Sequence, residues 1–291
     1  MRNAGLFDQA AAVAERVIRE QGISTLPVDP MAIARSVGIE VKEKPASSSG
    51  VSGVLIRLGD EFCIAYATHI RSLGFRRFSV AHELGHYFLE GHFEAIFADG
   101  PVHESRAGFF SNVKYELEAD HFAARLLMPN SLFYAALRSV GDGLAAVESL
   151  ATTCCASLPA TAIRYTECVS EPVAIVISTG NSVDYCAMSR ALRDLDDINW
   201  IRKGQSLPRN CATRQLSGNP ERIRRAERVE GASAFQDWFG GNLRSEVSED
   251  AIGLGEYGKI LTVLYSIELP EDSDEDSDEQ VIEAWTPRHR R

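Results

Sequence analysis

His82-Glu83-Leu84-Gly85-His86 decides how the rest of this chain is read. On an α-helix, residues four apart share a face, so the imidazoles of His82 and His86 can grip one metal ion. Glu83 then lies beside that ion, where a carboxylate can take a proton from an activated water and pass it to a leaving amine. H-E-x-x-H is the pattern of a zinc-peptidase helix, with Zn2+ the expected cofactor and Glu83 the expected general base. The pentapeptide alone leaves the site incomplete. A catalytic zinc takes three protein ligands and keeps one position open, so the reading turns on a third ligand.

The helix Tyr115 to Leu127, about thirty residues on, offers Glu116, Glu118 and Asp120. Taking about 100° per residue from Glu116, its neighbours on the wheel are Ala123, Leu127 and Asp120, with Ala119, Leu126 and Phe122 filling the same apolar arc. Glu118 falls on the opposite face with Lys114, His121 and Arg125. An ionised carboxylate on a buried face costs several kcal/mol unless it is paired or bound to metal. Glu116 therefore needs a partner, and zinc provides one; an arginine such as Arg76 or Arg106 is the plain alternative. Glu118 has Lys114 four residues earlier as a solvent-exposed partner. Asp120, one turn beyond Glu116, is placed to accept a hydrogen bond from the second nitrogen of a zinc-bound histidine. Of the other histidines, His92 and His103 lie close to the motif in sequence, and each is read as a surface residue.

Composition bounds the remainder. The chain has 291 residues, 45% hydrophobic and 24% charged, the balance of an ordinary globular protein. No apolar run reaches the roughly 18 residues that span a bilayer, and the N-terminus lacks a signal-peptide pattern, so no membrane is expected and a cytoplasmic location is. Six cysteines without C-x-x-C spacing fit reduced, mostly buried thiols. The net charge of −11 owes much to seven acidic residues between Glu271 and Glu279; without them it is −4. That run reads as a solvated spacer, and nothing in the body advertises a nucleic-acid surface.

Periodicity places a helix at Leu6 to Glu20, a short helix at Met31 to Val37, a strand at Ile39 to Lys42, and a hairpin from Val51 to Tyr66 across Gly59-Asp60. Gly91 to Ser111 reads as a loop. Helices follow near 130–138, 143–152 and 158–166, then a composition shift at Ser170-Glu171-Pro172. Strands are expected at Val173 to Ser178, Ser182 to Met188 and Ile260 to Leu269, with a polar, arginine-rich stretch between the last two. Its arginines, Arg222, Arg224, Arg225 and Arg228, alternate with Glu221, Glu227 and Glu230 and read as an ion-paired surface helix. A peptide substrate could add as a strand to the hairpin at Val51 to Tyr66.

Taken together, Val28-Asp29-Pro30 with Ala34 and Gly38, Arg77-Phe78-Ser79-Val80-Ala81 leading into the pentapeptide, Glu116-Leu117-Glu118-Ala119-Asp120-His121-Phe122-Ala123, and Leu126-Leu127-Met128-Pro129 resemble the ImmA/IrrE family of zinc-dependent metallo-endopeptidases. The resemblance covers roughly residues 5 to 165. It implies a compact gluzincin-like domain followed by a helix-turn-helix-like bundle. It implies too that the protein substrate is a helix-turn-helix repressor or an antitoxin, cut to release stress, DNA-repair or mobile-element genes. Carried over, His82, His86 and Glu116 would hold zinc, and Glu83 would be the base. The family block holds two glutamates here, and the wheel is what selects Glu116. The expected organisation is α+β: a zinc-peptidase domain of helices and a small sheet at 1–129, a helix-turn-helix-like bundle at 130–169, an α+β C-terminal domain at 170–270 with a sensory or substrate-binding role, and a disordered acidic tail at 271–291. The oxyanion donor stays open among Tyr115, Arg106 and His103. Two other classes compete: a DNA-binding regulator acting through helices 130–166, and a non-catalytic interaction module. The segment Leu158 to Tyr165 carries one arginine and no basic cluster, which speaks against direct nucleic-acid binding.

Overall fold

A computed structural model describes residues 4–44, 51–68, 72–105 and 113–267. The acidic tail, His69, His289 and Arg106 lie outside these residues. Helix α1 (Ala4–Glu20) buries Ala10, Ala14, Val17 and Ile18, the stripe its three- and four-residue spacing dictates. Helix α2 (Pro30–Ser36) starts where Asp29 accepts a hydrogen bond from the Met31 amide and Pro30 occupies the first turn. Strands β1 (Glu40–Lys44), β2 (Gly53–Leu58), β3 (Glu61–Ala67) and β4 (Val102–Ser105) form one sheet in the order β1-β3-β2-β4. β1 runs parallel to β3, and the other pairs are antiparallel.

The expected loop from Gly91 to Ser111 holds more structure than its composition suggests. It contains helix α4 (His92–Ile96) and strand β4. β4 is four residues long and has one buried position, so it leaves no alternating apolar signal.

Helix α3 (Leu73–Phe88) carries the pentapeptide, and every residue from Arg77 to His86 is buried. It packs on helix α5 (Lys114–Leu127) at close range. A Cβ at Gly85 would stand 3.0 Å from the Ala119 Cα, so a glycine is what allows the two backbones to approach here. Helices α6 (Asn130–Leu137), α7 (Gly143–Cys154) and α8 (Leu158–Cys168) follow. The α7 start is capped from a distance, with the Leu144 amide donating to Asp250 Oδ2 at 3.1 Å.

The second sheet runs β6-β5-β9-β8-β7, antiparallel throughout, from β5 (Ala174–Thr179), β6 (Ser182–Met188), β7 (Arg228–Ala234), β8 (Glu246–Gly253) and β9 (Ile260–Tyr265). One face, with Ile175, Ile177, Leu261 and Val263, shares the apolar core of the helices. The other, with Val176, Val247 and Leu264, packs on Leu192, Leu207, Trp238 and Phe239. The composition shift at 170–172 marks the passage from α8 to β5, and the core runs across it. The polar middle contains short helices α9 (Arg190–Arg193), α10 (Ala212–Ser217), α11 (Pro220–Arg224) and α12 (Phe235–Phe239), besides β7 and β8. Strand β8 eluded hydropathy because the inward position between Val247 and Ala251 is a carboxylate. Glu249 is fully buried, accepts from the Thr213 amide at 2.6 Å and the Thr213 hydroxyl at 2.5 Å, and also accepts from Ser233 Oγ. The expected ion-paired helix holds in part: Arg222 pairs with Glu227 and Arg224 with Glu221 around α11, but Arg228 lies on strand β7 and pairs with Glu148 on α7.

Candidate metal centre

Ser72 caps α3, accepting from the Phe75 amide, and fixes the helix so that His82 and His86 face α5. Their Nε2 atoms are 3.1 Å apart. Glu116 closes a triangle, with Oε2 3.3 Å from His82 Nε2 and Oε1 3.4 Å from His86 Nε2. Ligand atoms about 2.0–2.1 Å from a tetrahedral zinc stand about 3.3 Å from one another. Each Glu116 oxygen meets one imidazole, and one donor atom from each of the three residues lies within 4.8 Å of the others, so two imidazoles and one carboxylate converge as a zinc site requires. Glu116 pairs with His82, His86 and His103; of the arginines considered from sequence, Arg76 donates to the Thr68 carbonyl at 2.7 Å and Arg106 lies outside the described residues.

Asp120 stands where the wheel puts it. It is buried, and its Oδ1 accepts from His82 Nδ1–H at 2.8 Å. Against the cost of burial, Asp120 and Glu116 push His82 up to about 10, whereas burial pulls His86 down to about 3. Burial would raise Glu116, yet His103, His82 and His86 hold it well below the carboxylate range. The same convergence of carboxylates on buried imidazoles that favours a proton favours a bound cation.

Glu83 is fully buried, and neither carboxylate oxygen has a hydrogen-bond partner. Burial pushes it up to about 7. Ser105 Oγ on β4 draws this carboxyl partly back down as a donor would, though short of full hydrogen-bond geometry. Gly53 of β2 lies directly against it, since a Cβ there would collide with Glu83 Oε1. A buried acceptor pair without donors is anomalous in a folded chain unless something else supplies them.

Two expectations fail. Glu118 is 8% exposed, not solvated; besides Lys114 at 3.8 Å it meets His92 Nε2 at 3.4 Å. His92 and His103 are not surface histidines. His92 is 1% exposed, with Nδ1 3.0 Å from His86 Nδ1, and His103 Nε2 reaches Glu116 Oε1 at 3.0 Å. The signals that could have found them are a histidine directly after Gly91, the left-handed residue that caps the start of α4, and one within a short strand paired beside the hairpin. Of the oxyanion candidates, Tyr115 sets its ring edge against His92 at 5.0 Å, and His103 touches a proposed ligand.

No curated protein matches the chain. Among solved structures, a Mycobacterium tuberculosis transcriptional regulator is similar over 88% of this chain and 76% of its own length, at 17% identity and a TM-score of 0.57, a likeness of fold. Residues 34–164 match the Peptidase_M78 family model, the IrrE N-terminal-like domain. This stretch contains His82, Glu83, His86, Glu116 and Asp120, and over it the match agrees with the ImmA/IrrE resemblance read from the sequence.

Proposed function

We propose that this protein is a zinc-dependent metallo-endopeptidase of gluzincin type that cuts a protein substrate, a helix-turn-helix repressor or an antitoxin. The observation that carries this reading is the convergence of two imidazoles and a carboxylate, one donor atom of each within 4.8 Å of the others, beside the fully buried carboxylate of Glu83. His82, His86 and Glu116 would hold the ion, and Asp120 would orient His82. Zinc, when bound, supplies Lewis acidity toward a carbonyl oxygen and makes a water more acidic. Glu83 is placed to take the proton of the attacking water and to return it to the leaving amine. His103, between Glu116 and the rim at β4, is the candidate donor to the developing oxyanion.

The hairpin cannot accept a peptide as first expected, because β2 is flanked by β3 and β4, and β3 by β2 and β1. Of the sheet's two edge strands, β1 and β4, β4 carries His103, and its outer edge, unpaired among the described residues, is the one proposed for strand addition. The helix-turn-helix-like role of α6–α8, the sensory or substrate-binding role of the second sheet, and a cytoplasmic location belong to the same proposal; no described helix is long and apolar enough to cross a membrane. A DNA-binding regulator acting through α8 is disfavoured, because Arg164, the helix's single basic residue, is 3% exposed and donates inward to the Met128 carbonyl.

Metal analysis of the purified protein, with cleavage of a helix-turn-helix repressor encoded beside it and co-expressed, tests the reading. Glu83→Gln should keep zinc and lose cleavage, and Glu116→Ala should lose both. Full cleavage by either variant refutes the mechanism.

A further inference from the structure

The metal-centre reading leaves one buried pair unused, His92 and Glu118. Zinc held through His86 Nε2 would leave the proton on Nδ1, and because His86 is fully buried that proton needs an acceptor. The atom facing it, 3.0 Å away, is His92 Nδ1. If His92 accepts there, its own proton must sit on Nε2, and that nitrogen faces Glu118 Oε2 at 3.4 Å. Each tautomer is thereby fixed by its neighbour, and the chain ends on a carboxylate. Both members are buried, His92 at 1% and Glu118 at 8%, so the pair is held by packing. The Tyr115 ring closes the edge of His92, and Lys114 approaches the other oxygen of Glu118 at 3.8 Å.

We propose that His92 and Glu118 are positioning residues for the metal centre: Glu118 orients His92, and His92 orients His86, as Asp120 does directly for His82. Helix α5 then serves both histidines of the motif with carboxylates, one by contact and one through an intervening imidazole. Neither link was visible in the sequence. The inference rests on the metal-centre reading, and its test reads zinc binding rather than cleavage.

Zinc affinity of the full chain is measured by competition with a chromophoric chelator, the visible spectrum of the Co2+-substituted protein is recorded, and unfolding of the metal-free protein serves as the control. His92→Phe fills the space but removes the acceptor, and is expected to weaken zinc binding about 10- to 100-fold and to alter the cobalt spectrum. His92→Asn places an amide oxygen where Nδ1 stood and should restore affinity to within about threefold of the parent. Glu118→Gln should weaken binding in the parent and have no further effect beside His92→Asn, a dependence that a packing role would not produce. Parental affinity and an unchanged cobalt spectrum in His92→Phe overturn the proposal; should that variant not fold, the same result in Glu118→Gln does so. A parent chain that binds no zinc, or a Glu116→Ala variant that binds it as tightly as the parent, defeats the metal-centre reading and the relay with it.

Discussion

Replacing Gly53 by alanine should damage the site without touching a proposed ligand. Alanine is no worse than glycine in a strand by backbone preference, so any loss reports what the new methyl meets. In β2 it meets Glu83: the added Cβ would overlap Oε1 and stand 3.1 Å from Cγ and 3.2 Å from Cδ. To regain an ordinary van der Waals separation the carboxylate must retreat by about 1 Å, and a shift of that size costs on the order of 100-fold in rate when the group must be aligned with a reacting bond. Because Glu83 is fully buried, the retreat also strains the core, by about 1–3 kcal/mol.

The assay is a double-mutant cycle read by urea unfolding of the metal-free protein. Gly53→Ala should cost about 1–3 kcal/mol in the parent. In a Glu83→Asp background, where one methylene has been removed, it should cost less by at least about 1 kcal/mol. Zinc content should stay at the parental level in Gly53→Ala while repressor cleavage falls about 100-fold. Equal stability costs in the two backgrounds would show that the methyl does not meet Glu83, and parental cleavage would show that the position of Glu83 does not limit the chemistry.

Asp120→Ala removes the acceptor of His82 Nδ1–H and should weaken zinc binding about 10- to 100-fold by chelator competition; an unchanged affinity would deny Asp120 its orienting role. The thiols give a pH-dependent prediction remote from the metal. Burial pushes Cys154, Cys186 and Cys211 up to about 12 and Cys168 up to about 11, against 9.0 for a free thiol. At pH 8 a disulfide reagent should titrate at most the half-buried Cys63, Cys155 and Cys186 quickly, and all six cysteines only after denaturation. Between about pH 9 and 12 the folded chain holds more protons than the unfolded one, so stability should be complete below pH 9 and fall as pH rises above it, which equilibrium unfolding at pH 8 and pH 10.5 would check. Rapid reaction of all six thiols in the native protein, or a stability that rises over that interval, would contradict the burial.

The elements that were legible from sequence carry a strong local signal of one kind or another. α1 and α5 show an apolar stripe, α3 is marked by the pentapeptide and is buried all round, and β5 and β9 are β-branched runs buried on both faces. β4 and β8 were hidden for different reasons. β4 is too short to show alternation, and β8 spends an inward position on Glu249, whose burial is made tolerable by Thr213 from α10 and Ser233 from β7. Neither neighbour is close to Glu249 in sequence, so no local window contains the compensation. In the site, His82, Glu83 and His86 are a local pattern, and Glu116 and Asp120 follow from one helix wheel. His92 and His103 come from the segment read as loop, and their roles depend on the chain's return past α3.

Glu118 marks the limit of the wheel argument. The direction was right: two residues after Glu116, its side chain leaves α5 on a different side, away from the imidazole Nε2 atoms that Glu116 meets. The environment was wrong, because that side of α5 is covered by His92 at the start of α4 and edged by Tyr115. A wheel fixes where a residue points; what lies there is decided by elements elsewhere in the chain. A lysine four residues earlier was a sufficient explanation for a surface carboxylate, and it concealed the need for a second one. The Lys114 to Glu118 pair does form, at 3.8 Å, yet at that distance and with Lys114 largely in solvent it stabilises a carboxylate only weakly. A carboxylate 8% exposed needs a stronger reason to be ionised and indoors. Burial raises Glu118 all the same. The imidazole of His92, with Nε2 3.4 Å from Oε2 and Nδ1 3.0 Å from His86 Nδ1, is the contact through which the proposed relay would tie Glu118 to the metal centre.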